Sequence, residues 1–252
     1  MSGLSNWYET FFGSDYLIVD HQPDTEAEVA FLREALDLTP GTKLLDAACG
    51  YGRHLVPLAK AGVDIVGCDL SGELLEEASR RLRETAPKKK SAGIPRLVRC
   101  DLRELPFDGI FDRACLMYTS LGYFDREDDN FRVLSSLRSA LRDGGLLLIE
   151  TVNRDFFLRT MTPKDWLEKD GALIAETRSF NVIRSRSEID VTIVDKQGKR
   201  TYHHSIRLYT YTELSMLLEA CGFDILAVYG GFHGEAFDLN ASRMLILTRA
   251  VG

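Results

Sequence analysis

The 252-residue chain has no apolar run near the roughly 18 residues that a membrane-spanning helix requires. Its N-terminus, "MSGLSNWYETFFGSDYLIVD", lacks a basic segment followed by an apolar one, so no cleaved secretion signal is expected there. Basic residues are outnumbered, with 31 Lys and Arg against 38 Asp and Glu. The resulting net charge of -7 gives no general attraction to phosphate backbones, which argues against long nucleic acid as a partner. Lys88-Lys89-Lys90 is a local basic run and reads as a solvated loop. Cysteine is scarce, and none of Cys49, Cys68, Cys100, Cys115 and Cys221 forms a C-x-x-C pair. They read as reduced, mostly buried thiols of a cytoplasmic protein. No cluster of His, Cys and Asp has metal-ligand spacing, so no metal is expected.

What is present is a regular alternation. Helical spacing runs from Thr25 to Leu38 and stops at Pro40-Gly41. Lys43 to Ala48 reads as a buried strand, Arg53 to Ala61 as a helix and Asp64 to Cys68 as a second strand. Ser71 suits the N-cap of a helix reaching Leu82. Arg96 to Cys100 and Phe111 to Tyr118 are further strands, Asp128 to Leu141 a helix ended by "RDGG", and Leu146 to Thr151 a fifth strand. This order predicts a Rossmann-like, mostly parallel sheet with helices on both faces. From Ala172 to Leu208 the pattern changes to three consecutive β-prone stretches, with a turn signal at Lys196-Gln197-Gly198. They predict a small antiparallel β insertion. A helix over Thr212 to Cys221 and two strands, "FDILAVY" and "SRMLILTR", follow. The sheet then has seven strands, the C-terminal one antiparallel. The expected divisions are 1-154 for the N-terminal helices and core, 155-210 for the inserted lid, and 211-252 for the segment completing the core.

The stretch "LLDAACGYGRH", Leu44 to His54, carries the chemistry. Open α/β sheets bind ligands at the carboxyl ends of their strands, where strand order reverses. Gly50 and Gly52 lack side chains, so backbone N–H groups can approach a ligand there. Seventeen residues after Gly52, the second strand ends in Asp69, whose carboxylate suits two ribose hydroxyls. A nicotinamide dinucleotide would fit thus far. Its fingerprint wants a third glycine, however, and that place holds Leu55. Asp46, just before the turn, would repel a pyrophosphate but attract an ammonium and a sulfonium. S-adenosylmethionine (SAM) is that ligand.

"LLDAACGYGRH", "GCDLS" (Gly67 to Ser71), "CDLREL" (Cys100 to Leu105), "FDRACLMYTSLGYF" (Phe111 to Phe124) and "LRDGGLLLIE" (Leu141 to Glu150) together resemble the class I SAM-dependent methyltransferases. They stand in that family's order and spacing over roughly Lys43 to Glu150, and the whole chain looks like a small-molecule-type branch with a β insertion after strand five. The resemblance implies that Asp46, Ala48, Gly50 and Gly52 hold the methionine part, with Arg53 beside them. It implies Asp69 on the ribose, Leu70 near the adenine, Asp101 and Leu102 at the adenine amino group and face, and Met117 near the sulfonium. Ala48 departs from the glycine that many members carry. Asp101 could instead cap the following turn, and Arg53 and His54 could simply pack at a helix start.

Methyl transfer is an in-line displacement, so the protein mainly aligns a nucleophile and excludes water. A base is needed where the nucleophile arrives protonated. The motif N-P-P-Y/F of exocyclic-nitrogen methyltransferases is absent after the fourth strand, where "MYTSLGYF" stands. Tyr118, Ser120 and Tyr123 would face an acceptor there, joined by Asn153, Arg207 and Tyr209. His233 and Tyr123 are the candidate catalytic groups. Tyr8 and Tyr16, in and after "WYETFF", would close over the cofactor. His203 and His204 alternate faces of one strand, so at least one is solvated. The expected function is methyl transfer from SAM to a N, O or C atom of a small molecule, releasing S-adenosylhomocysteine; a homodimer is compatible with it. Alternatives are a SAM-binding sensor or partner subunit without turnover, and a nucleic-acid methyltransferase.

Overall fold

The computed structural model describes residues 7–20, 22, 24–85 and 96–252. The Lys88-Lys89-Lys90 run lies outside them. Two short helices, α1 (Trp7–Phe11) and α2 (Ser14–Val19), precede α3 (Thr25–Ala35). The core then alternates: β1 (Lys43–Ala47), α4 (Leu55–Lys60), β2 (Asp64–Asp69), α5 (Gly72–Thr85), β3 (Arg96–Arg99), β4 (Phe111–Leu116), α6 (Glu127–Ala140) and β5 (Leu141–Val152). After α7 (Arg154–Thr160) come β6 (Lys164–Lys169), β7 (Ala172–Asn181), β8 (Arg186–Asp195) and β9 (Gly198–Arg207). The chain returns through α8 (Tyr211–Ala220) to β10 (Phe223–Tyr229) and β11 (Arg243–Ala250).

Seven strands form one sheet in the order β10-β11-β5-β4-β1-β2-β3. β11 is antiparallel to β5 and β10. Strand order reverses between β1 and β4, which are parallel neighbours, and this opens a crevice beyond their carboxyl ends. Both faces are covered, so successive residues of β1 pack to opposite sides. Leu45 joins Leu134, Leu137 and Leu214 of α6 and α8. Leu44 joins Leu32 of α3 and Leu55 and Leu58 of α4. That two-sided burial is why the central strands read as continuous apolar runs.

The insertion is a separate four-stranded antiparallel sheet, β6-β7-β8-β9. Three of its strands match the expected stretches; β6 and α7 are additions. β6 is an edge strand with five of its six residues exposed, so "KDWLEK" carries no buried-face alternation to read. The inner face of this sheet packs Ala172, Ile174, Val191 and Ile193 against Ile18 and Val19 of α2. β5 also begins earlier than expected: Leu141 already pairs with Phe111, and a register shift between Phe111 and Arg113 absorbs the "RDGG" turn.

One joint ties the sheets together. The Arg207 N–H at the end of β9 donates to the Gly122 carbonyl (2.8 Å) in the loop after β4. A side chain at Gly122 would start 2.2 Å from the Arg207 carbonyl, and its φ is +99°, so this contact requires glycine. Thr210 then caps α8 with a reciprocal box. Its hydroxyl accepts from the Glu213 N–H (3.2 Å), and the Glu213 carboxylate accepts from the Thr210 N–H (2.8 Å).

Candidate active site

The loop after β1 is fixed by the end of β2. Asp69 accepts the Gly50 N–H on one carboxylate oxygen and the Ser71 N–H on the other, each at 2.8 Å. Cys49 N–H also donates to the Cys68 carbonyl (2.9 Å). Two adjacent strand ends are thereby locked in register around a carboxylate that retains free lone pairs. Burial raises the Asp69 pKa above the ordinary range, while the backbone donors oppose the shift. These groups line a cleft of about 950 Å³ that opens to solvent.

Of the residues expected at the cofactor, Tyr8, Tyr16, Ala48, Gly50, Arg53, Asp69, Leu70, Asp101, Leu102 and Met117 line this cleft. Tyr118, Ser120 and Tyr123 line it too. Asp101 also caps the turn that follows it, accepting the Arg103 N–H (2.9 Å) and its guanidinium (2.6 Å). Burial alone would raise Asp101, but these bonds outweigh it and hold the carboxyl below its usual pKa. Gly52 is not a lining residue; a Cβ there would sit 3.2 Å from Ala78 Cβ, so it serves the packing of the loop against α5. Asp46 lies behind the lining, 1% exposed, with Cys115 Sγ at 3.6 Å from Oδ1 and no partner on Oδ2. Burial pushes its pKa up to about 6.

The cleft floor has a buried ionic support. Glu28 of α3 bonds both Arg53 (2.5 Å) and His54 Nε2 (2.5 Å). Burial works against the Glu28 charge, but His54 and Arg53 outweigh it and lower its pKa. His54 is thereby a packing and hydrogen-bonding residue under the loop, although its ring also reaches the lining.

A second cavity, of about 1600 Å³, lies between the core and the insertion sheet. Phe12, Tyr16, Asp20, Tyr118 and Tyr123 line both spaces. The shared wall is a ring cluster: Phe12 stacks on Tyr123 (centroids 5.6 Å, 11°) and meets Tyr16 edge-on (5.0 Å). Tyr118 and Thr119 follow β4 in the left-handed region, at φ +57° and +53°. Such a pair is strained, Thr119 most of all because it is β-branched. Buried Glu150 holds it: its carboxylate accepts the Tyr118 N–H and its carbonyl the Thr119 N–H (3.2 Å). Glu150 is in turn paired with Arg243 (2.7 Å).

Four expected residues are placed elsewhere. His233 sits on an exposed loop, its N–H on Glu235, and lines neither space. Arg207 is paired with Glu127 (2.7 Å) and Glu213 (2.6 Å) on the outer side of the joint. Tyr209 is buried with its hydroxyl on Glu127 (2.7 Å). Asn153 caps α7 and donates to the carbonyls of Asp238 (2.9 Å) and Ala241 (2.8 Å).

Sequence reasoning missed Asp20, whose carboxylate accepts from Tyr16 (3.3 Å), Gln22 (3.0 Å) and Tyr51. It also missed Ser187, His204, Glu176 and Arg178 as cavity residues. The alternation of β7 to β9 could have assigned these to one face; nothing local says which face meets the core.

The cleft suits SAM. The Gly50 position leaves open space, with Leu74 Cδ1 at 3.8 Å as the near neighbour of an added Cβ. Asp69 offers acceptors for hydroxyls, and Asp46 carries an unpartnered oxygen. Among the described residues there is no group of His, Cys, Asp and Glu able to hold a metal, and no helix is long and apolar enough to cross a membrane.

A methyltransferase-domain family model matches residues 44–145. The dTDP-3-amino-3,4,6-trideoxy-alpha-D-glucopyranose N,N-dimethyltransferase of Streptomyces venezuelae is 27% identical over 203 residues, covering 77% of this chain and 80% of that protein. A glycine/sarcosine N-methyltransferase of Halorhodospira halochloris is 32% identical over 143 residues, 56% of this chain and 51% of its own length. The fold is similar to that of the CcbJ methyltransferase from Streptomyces caelestis, with a TM-score of 0.77, 19% identity and coverage of 93% and 92% of the two chains. The strand order, the loop-bound Asp69 and these likenesses agree: the chain carries a methyltransferase domain, has the fold of the class I members, and is a SAM-dependent methyltransferase enzyme.

Proposed function

We propose that the protein methylates the nitrogen of a small-molecule amine held in the cavity between the core and the insertion sheet, with residues 155–210 serving as the lid. The observation that carries this reading is the shared wall. An acceptor resting on the insertion sheet meets the cofactor cleft at Phe12, Tyr16, Asp20, Tyr118 and Tyr123. The bound cofactor supplies a methyl group already activated by a sulfonium. The cleft residues Gly50, Asp69, Asp101 and Leu102 would hold it, with Asp46 behind them facing its ammonium end. The aromatic wall excludes water and favours a cationic amine.

An amine must shed its proton before its lone pair can attack. Asp20 is a carboxylate in the shared wall, oriented by Tyr16, Gln22 and Tyr51, and is the group placed to take that proton. Burial holds the Tyr123 phenol well above its ordinary pKa, so it stays neutral and acts as a positioning hydrogen-bond donor. The two N-methyltransferase relatives favour nitrogen over oxygen or carbon.

The test is methyl transfer from isotopically labelled SAM to a panel of an amino-sugar nucleotide, glycine and sarcosine, each beside its hydroxyl counterpart. Label in the amines, lost in Asp20→Asn with S-adenosylhomocysteine binding kept, is the expected result. Label in the hydroxyl compounds alone would refute the nitrogen assignment.

A further inference from the structure

The walls of the second cavity carry buried polar side chains that no other described residue satisfies. Ser187 Oγ, His204 Nε2 and Trp7 Nε1 are buried without a hydrogen-bond partner. Their residues all line the second cavity. Ile189 pairs with His204 across β8 and β9, and Ser187 pairs with Ile206, so Ser187 and His204 are diagonal neighbours on one face. His204 is 9% exposed, its ring stacked against Trp7 (4.9 Å, 29°) with Phe11 edge-on at 3.9 Å. Three orphaned groups along one wall are costly unless a ligand meets them.

Their chemistry narrows that ligand. Trp7 Nε1 is a donor only, a serine hydroxyl donates and accepts, and a neutral imidazole does one or the other at each nitrogen. A hydroxyl group satisfies all three in either imidazole tautomer; a carboxylate or phosphate does so only when Nε2 carries the proton, and it brings a charge that needs a free cation. The cavity's cations are already engaged, Arg178 with Glu176 and Arg243 with Glu150 (2.7 Å). Burial pushes His204 down to about 4, so its ring is neutral near pH 7; His203 lowers it further and Asp190 opposes. The other walls are rings such as Phe156, Phe157 and Tyr118, suited to the C–H faces of a saturated ring. His203, by contrast, points outward onto Glu188 (3.2 Å) and Asp190 (2.7 Å).

Resting on the amine reading above, we propose that His204, Ser187 and Trp7 are specificity-determining residues that hold the hydroxyls of a polyhydroxylated, uncharged ring bearing the amine. The acceptor class is an amino sugar or a comparable hydroxylated cyclic amine.

The test uses the protein saturated with S-adenosylhomocysteine and two probes, 3-amino-3-deoxy-D-glucose and cyclohexylamine, which share a six-membered ring and an amine. Wild type should bind the amino sugar roughly tenfold more tightly, the scale of one or two net hydrogen bonds. The His204 Nε2 resonance should move with the amino sugar and not with cyclohexylamine. The variant His204→Phe/Ser187→Ala keeps a ring between Trp7 and Phe11, and in it the preference should fall to within about twofold with cofactor affinity unchanged. Equal or tighter binding of cyclohexylamine, a still Nε2 resonance, or a preference retained in the double variant overturns the inference alone. Failure of wild type to bind S-adenosylhomocysteine overturns the cofactor reading and this inference with it.

Discussion

The cofactor cleft and the cavity under the insertion sheet meet at one wall but treat most of their polar groups in opposite ways. In the cleft, backbone and side chains hold the carboxylates in place: Asp69 by Gly50 and Ser71, Asp101 by Arg103. In the cavity, Ser187, His204 and Trp7 are left open. The first arrangement is built from strand ends a few residues long and, apart from the Asp46 oxygen behind it, is complete before any ligand arrives. The second draws on the N-terminal helices, the loop after β4 and an inserted sheet, and it is completed by what binds.

The sharpest way to break this contrast is Gly50→Val. A branched side chain at φ +53° fills the open space of the cleft without touching the cavity. Binding of S-adenosylhomocysteine should fall by at least ~100-fold, about 2.8 kcal/mol, measured by calorimetry on protein shown to be folded by circular dichroism. Normal affinity would remove this loop from the cofactor site.

Next is Gly122→Ala, which strikes the joint between the two regions. The new methyl would overlap the Arg207 carbonyl, so stability should drop by about 2–4 kcal/mol in denaturant unfolding. Below the transition, cofactor affinity should be nearly unchanged, because the cleft has its own supports. An unshifted unfolding midpoint would show that the joint is not rigid.

Asp69→Ala sharpens the cleft side. Losing charge-assisted bonds to ligand hydroxyls should weaken binding by ~1–3 kcal/mol. The effect should appear in calorimetry with S-adenosylhomocysteine and be absent for probes that enter the cavity alone.

Asp46 gives a pH signature. Its folded pKa of about 6 stands above the ordinary 3.8, so the folded state holds an extra proton between those values. Its unfavourable contribution is absent below pH 3.8, grows as pH rises, and is complete above 6. Asp46→Asn should therefore stabilise the ligand-free protein at pH 7.5 by ~2–3 kcal/mol, with little difference near pH 4. A constant difference in melting temperature across that range would contradict the assignment.

The smallest effect is expected at Ala48, where φ is +56°. Ala48→Gly relieves a left-handed alanine but frees the unfolded chain, so the two terms should leave stability within ~1 kcal/mol. A larger loss in thermal unfolding would mean that the Ala48 methyl packs against the cleft.

The same contrast explains what the sequence revealed. Asp46, Gly50 and Asp69 sit at strand ends whose spacing is fixed by the βα repeat, so their placement could be read along the chain. The space that a third glycine gives a dinucleotide-binding loop is present here on the neighbouring strand. A Cβ at Gly67 of β2 would lie 2.3 Å from Leu55 Cδ1, and no pattern along the loop itself carries that exchange. Arg207 and Tyr209 were expected at the acceptor because they re-enter the sheet beside it. Glu127 of α6, some 80 positions earlier, draws both away. His233 was expected because it lies between the last two strands, but it is exposed there with its N–H on Glu235. Ser187 and His204 were legible as strand residues and not as site residues, since the face a small sheet turns inward is decided by what packs on it. Here that is α1 and α2, with Phe11 against Tyr202 (5.3 Å) and Arg200 on Asp15 (2.5 Å).

Phe12, Tyr16, Tyr118 and Tyr123 line both the cofactor cleft and the cavity proposed for the acceptor. Any adjustment of these rings that admits one ligand alters the free energy of admitting the other. The two affinities are therefore linked, and the factor by which cofactor changes acceptor binding is returned in equal measure when the acceptor binds first. Order of addition cannot change that factor; a substitution in the shared rings can.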